Sequence, residues 1–518
     1  MPVLSIGAPT FGHFVCAMVL ASLAATYTLS VVEGAAFLPM LSGTFVPIPG
    51  NYISRIVLSL TGLALYPLAA IPYYSPAQPH ECISRKLLAG MAMVGATCLA
   101  VVGAVCESDN EPTCMGNRDV HTASAITFFA CYDMYMITLS LHGHFSTAGW
   151  ATRTAVHAAI ALSLASKVRF LDTGALVGSL LVHQGKHFEH SPHGFGDSLL
   201  AIFEYLDTGA IAVWVVAAMQ HMGASLRFGF APDTTPKGAV PSIRFGLAPD
   251  TTPKGAVPSS YSVQYALPVQ TMALATAGFG LVTLAFTFGI ACAQGTIEPR
   301  VSWPYISDLW VAKPSNMISR FAICLTGAMI GVSQLGHYAA VSLPRAGRPR
   351  LTKLALAFSV LAGLGLMGVG MCNKQETPSV HFGSAAVFFG SLALWMPLDL
   401  ATSVGHWIGP SRAAAVIAAS VCIGAKLGQG WCHLKHGAAA RPNGSHGVTE
   451  IGVFSDMSPE GLEWSAALAG TCYFVLTHVA APAASFLVYS DAANKGELLP
   501  QIDAIAMRAK PKKVDVRV

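Results

Sequence analysis

Asn51-Tyr52-Ile53-Ser54-Arg55 runs on to Leu60-Thr61-Gly62, and 265 residues later Asn316-Met317-Ile318-Ser319-Arg320 runs on to Leu325-Thr326-Gly327. Each segment opens a long apolar stretch. A Ser-Arg pair at the mouth of a membrane helix is costly to keep once, so its recurrence points to a duplicated module and marks a working position.

The rest of the chain sets that reading in a bilayer. Hydrophobic residues make up 53% and charged residues 11%, against about 25% charged residues in a soluble globular domain. Apolar stretches long enough to cross a hydrocarbon core lie near 12–36, 51–74, 86–106, 120–141, 153–182 and 196–222, then near 262–293, 316–342, 351–372, 379–402, 411–430 and 460–488. The expected fold is therefore all-α: a polytopic membrane protein of about twelve transmembrane helices in two six-helix repeats. Six is even, so both modules insert the same way round and the repeats are parallel. The first stretch has no basic n-region and no small-residue cleavage site, and reads as a retained helix.

The expected organisation is a first six-helix module over 1–225, a linker over 226–260, a second module over 261–490 and a basic tail over 491–518. Within the linker, the segment from Arg227 to Ser242 is repeated almost letter for letter from Arg244 to Ser259. Its prolines and glycines forbid a continuous helix, which makes it a turn-rich spacer. Arg85, Lys86, Arg345, Arg348, Arg350, Lys353, Arg153 and Arg412 sit in loops or helix mouths that the positive-inside rule assigns to the cytoplasm, as it does both termini and the linker.

Aligning the halves on Ser-Arg pairs further residues. Val120-His121 falls on Val380-His381, Lys167 on Lys426, and Glu204-Tyr205 on Glu463-Trp464. At a rise of about 1.5 Å per residue, the two lysines stand roughly 22 Å into a core about 30 Å thick. Counted from the opposite face, Glu204 lies about 12 Å deep and Glu463 shallower. Arg55, His121, Lys167 and Glu204, with Arg320, His381, Lys426 and Glu463, thus share the non-cytoplasmic third of the bilayer. Lys167 with Glu204 and Lys426 with Glu463 are expected ion pairs, either fixing helix register or holding a lysine beside a lipid headgroup phosphate that an arginine grips through its bidentate fork.

Other signals carry less. Asp133 lies mid-helix in the first half only and reads as a satisfied interior acid, with a proton relay as the alternative. Cys106 and Cys114 flank one non-cytoplasmic loop, where a disulfide or two free thiols fit equally. Asn443-Gly444-Ser445 is a glycosylation sequon. His183, His187, His190 and His193, with His433 and His436, form no completed ligand pattern, so no metal and no cofactor is expected. No phosphate loop, nucleophile elbow or HExxH motif is present, and nothing points to nucleic acid.

These residues resemble the membrane family that groups GPI-anchor lipid-remodelling factors with the damage-regulated autophagy modulators (DRAM) and their yeast relatives. Pro304-Tyr305-Ile306-Ser307-Asp308 is similar to the signature after the first span of DRAM proteins, and the Asn-x-Ile-Ser-Arg segments to the stretch at the second span of the GPI factors. The histidine of span four, the lysine of span five and Phe203-Glu204-Tyr205-Leu206 or Glu463-Trp464 of span six follow in order. The family carries one such module, whereas this chain shows two, with Met40-Leu41-Ser42-Gly43 replacing the Tyr-Ile-Ser-Asp portion in the first.

The resemblance implies GPI-lipid remodelling or membrane-lipid organisation in Golgi or endolysosomal membranes, and its motifs identify no catalytic residue. The expected function is lipid handling, with the eight charged residues recognising phospholipid or GPI headgroups and membrane lipids as partners. The alternative is a non-catalytic scaffold or accessory subunit of a larger membrane complex, with protein partners. A transporter ranks behind both, since no broken helix pair recurs between the halves.

Overall fold

The computed structural model describes residues 4–32, 41–46, 49–74, 82–105, 118–141, 145–146, 148–172, 195–224, 226–232, 261–298, 303–342, 346, 348–402, 410–435, 459–481 and 484–491. Cys106, Cys114, Asn443, four of the first-half histidines (His183, His187, His190, His193), His436, the second linker copy and the tail beyond Asp491 lie outside them.

Long helices dominate the described residues. In the first half they are α1 (Ala8–Val32), α2 (Gly50–Tyr74), α3 (Cys82–Ala104), α4 (Arg118–Leu141), α5 (Trp150–Asp172) and α6 (Phe195–Met222). The second half supplies α7 (Val269–Ala293), α8 (Ser315–His337), α9 (Pro349–Met371), α10 (Pro378–Thr402), α11 (Pro410–Lys435) and α12 (Pro459–Ala480). Among the described residues nine are long and apolar enough to cross a membrane, namely α1 to α4 and α7 to α11. The expected twelve crossings are thus met by nine on length and composition. Leu20, Val94, Val282, Leu364 and Leu427 stand exposed along these helices, as lipid-facing side chains do.

The all-α expectation needs correction. Four strands, β1 (Leu4–Gly7), β2 (Leu226–Pro232), β3 (Tyr261–Pro268) and β4 (Ala484–Asp491), form an antiparallel sheet in the order β1-β2-β4-β3. Each strand adjoins a helix end: β1 and β3 run directly into α1 and α7, while three residues separate α6 from β2 and α12 from β4. The sheet therefore caps one end of the bundle, and its central β2–β4 pair ties the halves together. Its β2 strand is Leu226-Arg227-Phe228-Gly229-Phe230-Ala231-Pro232, the opening of the stretch expected to be a turn-rich spacer. Pro232 ends it, while Phe228 and Phe230 bury against Phe486 of β4. Short apolar alternation overrode the proline-glycine signal because a partner strand was there to pair with.

Helix packing is closest where α2 crosses α3 and α8 crosses α9. A Cβ on Gly62 would meet the Ala96 carbonyl oxygen at 2.6 Å, and one on Gly327 the Gly363 carbonyl oxygen at 2.5 Å. Only glycine lets these backbones touch. The crossings carry the start of α2 and of α8, with their arginines, to the end of the bundle opposite the sheet.

Candidate functional site

The two arginines meet. Arg55 and Arg320 each retain 1% exposure, and both reach one carboxylate, that of Glu376 in the loop between α9 and α10. Arg55 Nη1 lies 3.5 Å from Glu376 Oε2 and donates to the Met371 carbonyl at 2.7 Å. Arg320 Nη2 donates to Glu376 Oε1. The loop is shaped to present this acid: Asn373 Oδ1 accepts from the Gln375 and Glu376 amides at 2.9 and 2.8 Å, an Asx-type turn. Tyr52 and Thr377 share a hydroxyl hydrogen bond across the same contact. Within each helix the serine before the arginine folds back onto the asparagine carbonyl, Ser54 on Asn51 at 2.8 Å and Ser319 on Asn316 at 2.9 Å. The repeated motif is a clasp between halves. Burial and this carboxylate enclose both guanidinium groups in the contact between the halves.

The histidines have matching roles. His121 Nδ1 stands 2.5 Å from the Val105 carbonyl oxygen and His381 Nδ1 2.6 Å from that of Cys372, each closing the end of the helix before its own. The lysines differ from the expected pairs. Lys167 donates to Asp207 and lies 3.3 Å from Asp133, which also accepts from Ser163 at 2.5 Å. Glu204 instead accepts from the Leu41 amide at 2.8 Å. The reason is helical phase: Asp207 stands almost one turn beyond Glu204 on α6, and Asp133 faces it from α4. In the second half Lys426 donates to Gln429 at 2.6 Å, and Gln429 in turn reaches Glu463 at 3.5 Å, so the lysine and glutamate are bridged. Both ammonium groups sit over a phenyl ring, Lys167 at 4.8 Å from the Phe129 centroid and Lys426 at 3.4 Å from that of Phe389.

The Pro304-to-Asp308 segment is anchored from two sides. Asp308 accepts from the Tyr305 amide at 3.0 Å and from Lys374, and Trp464 Nε1 donates to the Pro304 carbonyl at 2.9 Å. Burial lowers the Lys374 ammonium from the usual lysine range, while Glu463 and Glu460 pull it back up.

Two cavities lie beside this layer, one in each half. The first, about 80 Å³, is lined by α1, α2, α3, α4 and α6, and includes Leu41, Leu58, Thr61, His121, Phe128 and Glu204. The second, about 130 Å³, includes Ile306, Ile323, Thr326, His381, Phe388 and Glu463. Those six residues stand 265, 265, 265, 260, 260 and 259 positions beyond the first six. Both walls are overwhelmingly apolar, and each carries a histidine and a glutamate.

A polar cluster of the second half escaped sequence reasoning. Near the sheet end, Asp399 is fully buried and accepts from Tyr338 at 2.7 Å and Tyr473 at 3.0 Å, with Trp395 Nε1 donating to Tyr338 at 3.0 Å. His337 and His478 face each other beside it, ring centroids 5.2 Å apart. At the same offsets the first half has Leu139 for Asp399 and Met219 for His478. Glu376 was missed as well, although the run Asn373-Lys374-Gln375-Glu376-Thr377 between apolar stretches was a visible signal. Among the described residues no group of histidine, cysteine, aspartate and glutamate is placed to hold a metal.

Fold and composition define a multi-pass integral membrane protein. Residues 268–480, from the end of β3 through α12, match the family described as Frag1/DRAM/Sfk1/Cwh43P N-terminal domain. No curated protein and no solved structure gives a match.

Proposed function

We propose that the protein is a lipid-handling membrane protein built from a tandem pair of Frag1/DRAM-type modules, each holding the apolar part of a membrane lipid in its cavity. The observation that carries this is the recurrence of one apolar cavity per half, with a histidine and a glutamate at corresponding positions. A cavity of this composition in a bilayer suits hydrocarbon with one or two polar anchor points. The pairing of β2 with β4 supports the tandem reading. Phe228 faces Val488 and Gly229 faces Leu487, a register unchanged when each residue is exchanged for its counterpart 259 positions away.

In this reading Lys167, Lys426 and Glu463, at the rim of the layer, meet the headgroup, while Arg55 and Arg320 keep the halves in register. The family match and the motif order extend the proposal to GPI-lipid remodelling in Golgi or endolysosomal membranes, with both termini cytoplasmic.

Mass spectrometry of the purified protein in its native state tests the core of the proposal. Co-purified lipid is expected, and Ala385→Trp, which fills the second-half cavity, is expected to reduce it. A protein that carries no lipid and instead co-purifies stoichiometrically with membrane proteins would favour the scaffold reading. Lipid profiling of GPI anchors in cells lacking the protein tests the remodelling part, and unchanged acyl composition would refute it.

A further inference from the structure

The first-half cavity is lined by the polar residues Cys16, Ser42, Thr61, His121, Glu204 and Thr208, and among them His121 holds a buried nitrogen with no partner among the described residues. Thr61 donates to the Val57 carbonyl at 2.7 Å, Thr208 to that of Glu204 at 3.0 Å, and Cys16 to that of Ala212 at 3.6 Å, so these lining groups have spent their hydrogens on backbone. His121 is different. Its Nδ1 faces the Val105 carbonyl oxygen, an atom that can only accept, so Nδ1 carries the hydrogen of the neutral ring and Nε2 is left as an acceptor. His121 is 2% exposed, and Nε2 is buried with no partner among the described residues. A buried acceptor is costly to leave unsatisfied. Glu204, on the same wall, is also an acceptor.

We propose that this cavity takes the hydroxyl-bearing end of an uncharged membrane lipid, its O–H donated to His121 Nε2 and its hydrocarbon lying against Val19, Leu65, Phe128 and Ile211. An ester or ether oxygen at the same place would set acceptor against acceptor. A phosphate would bury its charge against apolar side chains, with no lysine or arginine among the lining residues to compensate it. The inference rests on the lipid-handling reading and narrows it to a free hydroxyl.

The test is photolabelling of the full-length protein in phosphatidylcholine nanodiscs with three diazirine probes: a 1,2-diacylglycerol, its O-methyl ether and the corresponding phosphatidic acid. Labelled peptides are mapped by mass spectrometry. The diacylglycerol is expected to label the cavity-lining segments of α1, α2, α4 and α6 about tenfold more than either other probe, the ratio set by one hydrogen bond to a buried acceptor. His121→Phe is expected to bring its labelling down to that of the ether. Because His121 also closes the end of α3, Ala125→Phe serves as the second variant: it fills the cavity, leaves the His121–Val105 bond in place and is expected to abolish labelling there.

Equal labelling by diacylglycerol and ether overturns the hydroxyl assignment and leaves lipid handling standing, as does labelling confined to the second cavity. Absence of labelling by all three probes at both cavities overturns the lipid-handling reading together with it.

Discussion

Glu376 decides the electrostatics of the molecule. It is one buried carboxylate between two buried guanidiniums, so neutralising it leaves two like charges with reduced compensation in a low-dielectric contact. Breaking a buried ion pair by removing one partner costs about 3–5 kcal/mol. Glu376→Gln is accordingly expected to lower the free energy of unfolding in detergent by an amount of that order, whereas a change of under about 1 kcal/mol, the range of exposed pairs, would show the clasp to be inert. The buried Asp399 makes a second residue-scale prediction. Tyr473→Phe removes a hydroxyl that Asp399 accepts from at 3.0 Å, and is expected to cost about 1–3 kcal/mol, the range for a buried acceptor left short of a donor. Denaturant titration followed by tryptophan fluorescence reads it, since Trp395 packs edge-on against Tyr473 at 5.1 Å. The sequence showed Arg55 and Arg320 through repetition alone. It did not show their common partner, because acids recur in that loop, Glu111 standing 265 positions before Glu376, and which of them an arginine meets is set by packing.

The helices owe their spacing to small residues. Gly327 sits where α8 meets α9, with the Gly363 carbonyl oxygen 2.5 Å from a would-be Cβ, and Gly363 faces the Gly327 carbonyl oxygen at 2.6 Å in return. Gly327→Ala must push the helices apart, with an expected loss of about 1–3 kcal/mol as for other overpacked sites. Thermal unfolding of the purified variant measures it, and Gly331→Ala, where a Cβ meets open space, is the control expected to change little. Helix existence was legible from apolar runs of the right length, and most ends fell within a few residues of those read. The strands were not. The apolar runs near 262–293 and 460–488 take in β3 and the start of β4, β1 precedes the first run, and β2 opens the stretch that composition marks as spacer; a strand's stability comes from a partner distant in the chain, which local composition does not reveal.

For the whole molecule, the described residues join the halves through the β2–β4 pair at one end, the Arg55–Glu376–Arg320 clasp at the other, and the packing of α2 and α3 against α8 between them. Residues 1–240 and 250–518, expressed as separate chains in one cell, are therefore expected to co-purify as a complex. Arg55→Met in the first chain is expected to weaken that complex, measured by the fraction of second chain retained on an affinity tag carried by the first. Full retention with Arg55→Met combined with Phe228→Asp in β2 would mean that neither the strand pair nor the clasp governs association.

What the sequence determined by itself was the apolar surround of the helices and the recurrence of one motif. Mean composition places these helices in lipid, and the Asn-x-Ile-Ser-Arg recurrence sets the alignment along which the two cavities correspond. Tertiary structure alone decided who pairs with whom. Lys167 takes Asp207 and Asp133 rather than Glu204 because depth along a helix axis can be counted from sequence, while rotation about that axis is set by packing. The repeated Ser-Arg became a clasp for the same reason. Two arginines buried at one depth in touching helices need a shared counter-charge, and a loop of the second half delivered it.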